Sequence, residues 1–552
     1  MKSMIRYGVA AAIALASAQA MASGAATNDN TLLIGGATAT DRTLLESLLD
    51  ATDGICANNA WDGDQDPTND NTATVYFAGA QSATGPANFV VRCQGKAGVT
   101  GVAGATIAVG KFSGGSETGI VNVAQKSPTA IAGNPVTFPD PSTSASCVWA
   151  GQGTGAGLVS YVVFTGCGAV TPGAGTGYDG QNPRFGISDV EPKLFGLNST
   201  GVQSVESAVD VTFAPVLSRN FYAALQQAQS LVGARSVYRS SGADGIAGTA
   251  DDVLGSVTCN DSSTTDEACL PTLSTAQVRG LLSQKVSAVT DFRVNGVALP
   301  APTGGAAIRI CRRGDTSGTQ KSFENYFFGQ GCLKNATLTF AKDTAVVDAT
   351  VTPNRQCSEI GCAFKASNVG STGIFQGTGS GDVEACLDDA VTNGVYAIGI
   401  LSTDRVPDNA NKEFRFIKLD GVAPLLQNVV DGRYSFFSEN TVITATGLTT
   451  VQGAIATAIK ARFRTPTLLD STLVNNGIAT NGVVKANGGL LVRPTALQAP
   501  GNPPVDYTVR PVNTQVKGIS LGGTAPTVDN CIPPAFVQGT DSSVGPTSLT
   551  SP

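Results

Sequence analysis

The 552-residue sequence contains no histidine. That absence removes the Ser-His-Asp hydrolases, the Cys-His proteases, His-ligated zinc and haem, and any imidazole general base. Catalysis would have to run on carboxylates, Lys, Tyr or a metal held by oxygen. Charge is scarce too: 14% of residues are Asp, Glu, Lys or Arg, the net charge is −7, and no extended basic run occurs. A nucleic-acid partner is not expected, because affinity for the phosphate backbone needs clustered cations. Aromatics make up only 6% while glycine numbers 65, a balance that points to many turns, long loops and β-structure. Beyond residue 22 no apolar run is long and unbroken enough to span a bilayer.

The chain does have 42% hydrophobic residues and the length for a large core shared by more than one lobe. Its start reads as an export signal: Lys2 and Arg6, an apolar stretch from Val9 to Ala18, then Ala20-Met21-Ala22. Residues 1–22 are therefore expected to be a signal peptide, and the remainder a monomer in the periplasm or secreted. No cysteine follows the expected cleavage point, so no lipid anchor is expected there. The 12 cysteines agree with an oxidising compartment. Short gaps (Cys147 to Cys167, Cys259 to Cys269, Cys357 to Cys362) suggest local staples, although spacing alone does not decide connectivity. No pair has CxxC spacing, so no zinc site is assigned.

Strand-like and helix-like segments alternate, which predicts an α/β fold with insertions. Thr31–Ile34 reads as a strand, followed by a helix from about Thr40 with Leu44, Leu45, Leu48 and Leu49 on one face. From Asp53 to about Pro86 the chain is polar and irregular. Phe185–Asp189 and Val211–Leu217 read as strands, the second leading into a helix over Phe221–Val232. A helix near Ser274–Leu282 precedes the strand Ala307–Ile310, and Val395–Leu401 has the pattern of a buried strand. From Pro500 onward the chain is rich in Pro, Gly, Ser and Thr, as expected of a surface tail.

The sharpest local signal is Arg312-Arg313-Gly314-Asp315-Thr316-Ser317-Gly318-Thr319, between a predicted strand and a predicted helix. A helix N-terminus offers unpaired N–H groups and the positive end of a dipole to an anion. Ser317 and Thr319 add hydroxyls, Gly318 permits close approach, Arg313 supplies a planar fork, and Asp315 is expected to steady that guanidinium. A capped helix with a surface salt bridge fits the same octapeptide.

Arg313 to Thr319 resembles the strand–Arg-x-Asp-Gly-Ser-Gly-Thr–helix motif of the phosphate-binding proteins of ABC transporters and their secreted relatives, with Thr316 in place of the first Gly. Gly36-Ala37-Thr38-Ala39-Thr40 is similar to that family's N-terminal turn, which implicates Thr40. Phe112-Ser113-Gly114-Gly115-Ser116 is similar to its Ser-Gly-Gly turn, implicating Ser113 with Ser116 as rival. Gly186-Ile187-Ser188-Asp189 resembles the segment whose Asp accepts the ligand's proton. Weaker likenesses follow in order at Leu273–Lys285, at Tyr396–Ile400 (the returning hinge strand) and at Phe416–Tyr434.

The resemblance implies a two-lobed type 2 periplasmic-binding fold. Lobe one would run over residues 23–205 and return over 395–499, lobe two would be 206–394, and 500–552 would be the tail. It implies a small oxyanion, phosphate, held by Thr40, Ser113 and Asp189 from one lobe and by Arg313, Asp315, Ser317, Gly318 and Thr319 from the other. It also implies an ABC permease as receiving partner. Long insertions at Asp53–Thr106, Ser127–Gly180 and Tyr238–Pro271 depart from the family pattern. Two acidic stretches, Asp62/Asp64/Asp66/Asp70 and Asp244–Asp252, have the composition of calcium loops or of solvated turns; no metal or cofactor is assigned. A phosphatase-like enzyme on the same fold, or a surface protein that has lost its ligand, are the alternatives.

Overall fold

A computed structural model describes residues 30–38, 41–59, 72–79, 88–127, 129, 135–140, 147–153, 157–173, 178, 181–197, 201–240, 253–264, 266–333, 337–350, 354–403, 405, 407, 411–425, 428, 433–463, 491–494, 508–509, 536–537 and 549–550. The expected signal peptide, Thr40 and both acidic stretches lie outside the described residues, as does nearly all of the expected tail.

The first half of the chain supplies β1 (Thr31–Gly36), α1 (Asp41–Leu49), β2 (Ala73–Phe77), β3 (Asn88–Gln94), β4 (Thr106–Phe112), α2 (Ser116–Gln125), β5 (Val148–Gly153), β6 (Tyr161–Thr165), β7 (Phe185–Ser188) and the long β8 (Val202–Ser218). There follow α3 (Arg219–Ala228), β9 (Gly233–Ser240), β10 (Val253–Cys259), α4 (Thr275–Leu282), β11 (Ile308–Arg313), α5 (Gly318–Phe328), β12 (Ile374–Gly377), α6 (Ser380–Thr392), β13 (Tyr396–Ser402), β14 (Phe414–Phe416), β15 (Phe437–Ala445) and α7 (Thr450–Phe463). The class is α/β, as the alternation predicts.

One ladder runs β12-β11-β13-β8-β15-β7-β1-β4-β3-β2-β6-β5. Each half of it, here called a lobe, holds a parallel region. In one, β7, β1 and β4 are parallel neighbours; in the other, β12, β11 and β13 are. The 17-residue β8 joins them: residues 202–212 pair with β15, and Phe213–Leu217 pair with β13. Parallel strands need crossover helices on their faces and are buried on both sides, which is why β1 (TLLIGG) and β13 (YAIGILS) are buried throughout.

Several local expectations change. Residues 53–86 are not irregular throughout, because Ala73–Phe77 is a buried strand between β3 and β6. The helix expected to reach Val232 stops at Ala228; Ser230 then adopts a left-handed backbone (φ 55°) and the chain turns into β9. Part of the Tyr238–Pro271 insertion is the β9–β10 hairpin, stapled beyond its end by Cys259–Cys269. Tyr396–Ser402, expected as the strand returning to lobe one, lies instead between β11 and β8, and β15 is the strand that runs back beside β7.

Five disulfides join described residues: Cys56–Cys93, Cys147–Cys167, Cys259–Cys269, Cys311–Cys386 and Cys357–Cys362. Three are the local staples suggested by spacing, and Cys311–Cys386 pins α6 to β11.

Glycine sets how closely α2 approaches the sheet. A Cβ on Gly119 would stand 2.7 Å from Ile187 O and 2.9 Å from Gly35 O, and one on Gly186 would meet Gly119 O at 2.0 Å. The bare helix backbone therefore rests on the ends of β1 and β7, and this contact fixes the start of α2 beside Asp189.

Candidate functional site

The parallel strands of lobe one end at Gly36, Phe112 and Ser188, and those of lobe two at Arg313, Gly377 and Ser402. Helices α1, α2, α5 and α6 begin a few residues beyond these ends. In open α/β sheets the carboxyl ends of the strands, where helix N-termini gather, form the usual binding crevice.

Here the crevice is shut on itself. Glu117 N donates to Thr316 O at 3.2 Å, joining the start of α2 to the turn before α5. Thr319 Oγ1 donates to Asp189 Oδ2 at 3.4 Å. Gly318 lies so close that a Cβ on it would stand 2.1 Å from Ser116 Oγ and 2.8 Å from Asp189 Cβ. Asp189, Ser116, Ser317 and Thr319 are all buried.

Asp189 follows β7 directly and is held from three sides. Its N–H donates to Ser116 Oγ (3.0 Å), its carbonyl accepts from Ser438 Oγ (2.7 Å), and its carboxylate accepts weakly from Asn440 Nδ2 (3.5 Å). Ser438 and Asn440 belong to β15, beside the crossing between lobes.

In lobe two, Ser317 caps α5, its Oγ accepting from Gln320 N at 3.4 Å. Arg313 is buried, and its guanidinium donates to Thr378 O (2.7 Å) and Ser380 Oγ (3.1 Å) at the start of α6. Asp315 does not steady Arg313 as expected. It pairs with Arg312 and, at 3.2 Å, with Lys342. The reason is strand alternation: successive side chains of β11 point to opposite faces, so Arg312 turns back toward Glu324 (3.3 Å) and Phe340 (5.0 Å) while Arg313 turns to α6.

Ser113 and Ser116 also separate. Ser113 Oγ donates to Asp41 and lies 3.3 Å from Lys111 Nζ, behind the turn; Ser116 stands at the interlobe contact. Asp189, Ser317, Gly318 and Thr319 are therefore brought together with Ser116, Arg313 is anchored on the adjoining helix start, and Ser113 and Asp315 serve charged pairs beside the junction.

Sequence reasoning missed Asn440, Ser438 and Lys111. The first two sit in a plain strand, FSENTVITA, with no motif around them. Lys111 could have been noticed as a single charge in the buried strand TIAVGKF. Among the described residues no group of three or more acidic or cysteine side chains could hold a metal, and no helix is long and apolar enough to cross a membrane.

The fold and junction define an α/β protein of two lobes that meet over a polar, helix-capped seam. No protein-family model and no curated protein matches the chain. Among solved structures it is similar to a Clostridium perfringens protein assigned as a phosphate ABC transporter substrate-binding protein, with bound phosphate, at 11% identity and TM-score 0.33, over 83% of this chain and 100% of that one. It is also similar to an ABC-type phosphate transport receptor from Vibrio cholerae (11%, TM-score 0.25, 53% and 78%) and to PstS from Borrelia burgdorferi (11%, TM-score 0.25, 55% and 79%).

Proposed function

We propose that this chain is an extracytoplasmic solute-binding protein that captures a small tetrahedral oxyanion, phosphate, between its lobes. The observation that carries the reading is the meeting of Asp189 with Thr319 at the seam where α2 and α5 both begin. Helix starts and hydroxyls donate, which suits an anion. A buried carboxylate in the same place suits only an anion that brings a proton. Sulfate, with none to give at neutral pH, would set its charge against the Asp189 carboxylate with no hydrogen bond between them.

Closure of the lobes would exclude water and strengthen each charged hydrogen bond. Thr40, Ser116 and Asp189 would serve from lobe one, with Ser113 held behind the turn; Arg313, Ser317, Gly318 and Thr319 would serve from lobe two. The disulfides support an oxidising compartment. Delivery to an ABC permease is the natural fate of a ligand held this way.

Calorimetric titration with phosphate and with sulfate tests the reading. Saturable phosphate binding, lost in Arg313→Ala, with no sulfate uptake, is expected. Sulfate bound as tightly as phosphate would refute the role given to Asp189. Hydrolysis of a phosphomonoester by the pure protein, lost in Asp189→Asn, would replace capture with catalysis.

A further inference from the structure

Behind the first-lobe turns lies a lysine that the binding site itself does not use. Lys111, on β4, is fully buried. Its ammonium lies 3.2 Å from Gly36 O, 3.1 Å from Ala37 O, 3.1 Å from Phe112 O, 3.3 Å from Ser113 Oγ and 2.9 Å from Asp41 Oδ1. These five groups belong to the last residue of β1 and the one after it, the last residue of β4 and the one after it, and the first residue of α1. Gly36, in turn, lies against Ile187 and Ala37 N donates to Ile187 O at 2.8 Å, two residues before Asp189. One cation therefore ties the ends of β1 and β4 to the start of α1, and Ala37 in turn links this cluster to the segment that leads to Asp189.

Taking a lysine and an aspartate wholly out of water is costly, and an apolar pair of similar volume is often as stable or more so. Stability alone is a poor reason for this pair to sit here. Geometry is a better one, because two turns carrying inward carbonyls need a donor between them if their outer N–H and O–H groups are to face a ligand.

We propose that Lys111 is the positioning residue of the first-lobe half of the anion site, with Asp41 as the counter-charge that makes this positioning acid-sensitive. The inference rests on the anion-capture reading above. Asp41 faces Lys111 from β4, the Ser113 hydroxyl from the following turn and, farther off, Arg405 from the segment after β13, which is itself paired with Glu384 at 3.3 Å. The charges at the far end of α1 are engaged elsewhere: Arg462 of α7 with Asp50 (3.5 Å) and Asp53 (3.2 Å), and Lys460 with Glu206 (2.7 Å). Burial pushes the Asp41 carboxyl up to about 6, with Lys111 and the Ser113 hydroxyl opposing the rise. Protonation in mild acid removes the counter-charge from the buried ammonium and with it the ion pair that sets its position among these carbonyls.

The experiment compares phosphate affinity of the full chain and of Asp41→Asn, by calorimetry, from about pH 5 to pH 7.5; using the ratio of the two removes the phosphate's own titration. The variant should bind about tenfold or more weakly at pH 7.5, the scale of one lost charged hydrogen bond, and should converge with the native protein near pH 5. Parallel profiles, or equal affinities throughout, overturn the inference while leaving anion capture intact. No phosphate binding by the native protein refutes the parent reading, and this one with it. A double variant, Asp41→Asn with Lys111→Met, covers the case in which the single one does not fold. It should keep its melting temperature while losing affinity about tenfold or more; affinity unchanged, or affinity and melting temperature falling together, overturns the positioning role.

Discussion

Gly318→Ala asks whether the seam between lobes is where binding happens. The new Cβ would fall 2.1 Å from Ser116 Oγ, 2.7 Å from Ser116 Cβ and 2.8 Å from Asp189 Cβ, all across the junction. Ordinary contact begins near 3.5 Å, so the start of α5 has to withdraw by roughly 1 Å. That withdrawal breaks the Thr319–Asp189 hydrogen bond, already 3.4 Å, and the 3.2 Å bond from Glu117 N to Thr316 O. Two such bonds, at ~1 kcal/mol each, plus overpacking of ~1 kcal/mol, disfavour the closed form by about 2–3 kcal/mol. Phosphate affinity should fall about 30- to 150-fold. Stability should hardly change, since Gly318 opens a helix and alanine there costs the unfolded chain conformational freedom worth ~0.4–1 kcal/mol. Calorimetric titration and thermal melts on one preparation measure both quantities. An affinity within twofold of native would refute the seam as the site, and a collapse of melting temperature with affinity would refute the view that Gly318 acts across the lobes.

Asp189→Asn should weaken phosphate and admit sulfate, because an amide can donate where the carboxylate only accepts; competition between the two anions measures the change. Ser116→Ala should cost affinity about tenfold through the lost anchor on Asp189 N, at ~1 kcal/mol or more, and should exceed the effect of Ser113→Ala at neutral pH. Arg312→Met should destabilise the protein by about 1–3 kcal/mol, because Asp315 and Glu324 lose a buried cation while Glu324 keeps Lys321 (2.9 Å) and Gln320 (3.0 Å), and chemical denaturation reads it. Asp41 should also mark the pH dependence of stability. Its folded value of about 6 lies above the ordinary 3.8, so the folded chain holds the proton more tightly; its contribution is complete below about pH 4 and is lost as pH rises through 6. Because protonated Asp41 resembles Asn, native protein and Asp41→Asn should melt alike near pH 4, and the native protein should lose melting temperature relative to the variant as pH rises to 7.

The α/β class and most strand and helix cores were legible from alternation and from turn residues, because each such signal is local. Ser317 as an N-cap and Gly329 as the left-handed stop of α5 (φ 65°) belong to this kind, encoded within a few residues of where they act. The misreadings fall where a neighbour outweighs local composition. Ala73–Phe77 looks unremarkable beside its acidic flank, yet the open edges of β3 and β6 recruit it into the sheet. Asp315 looks like the partner of Arg313, but strand alternation hands it to Arg312.

By itself, then, the sequence determined an α/β chain with no histidine chemistry, with cysteines spaced for local disulfides and with a Gly/Ser/Thr-rich turn at Arg313–Thr319 ahead of a helix. Tertiary structure alone decided which hydroxyl, Ser116 rather than Ser113, stands at the seam, that Asn440 and Ser438 flank Asp189, and that Lys111 binds the turns after β1 and β4 to the start of α1. Those outcomes depend on contacts between residues tens to hundreds of positions apart, 251 in the case of Asp189 and Asn440, where no short-range pattern exists to be read.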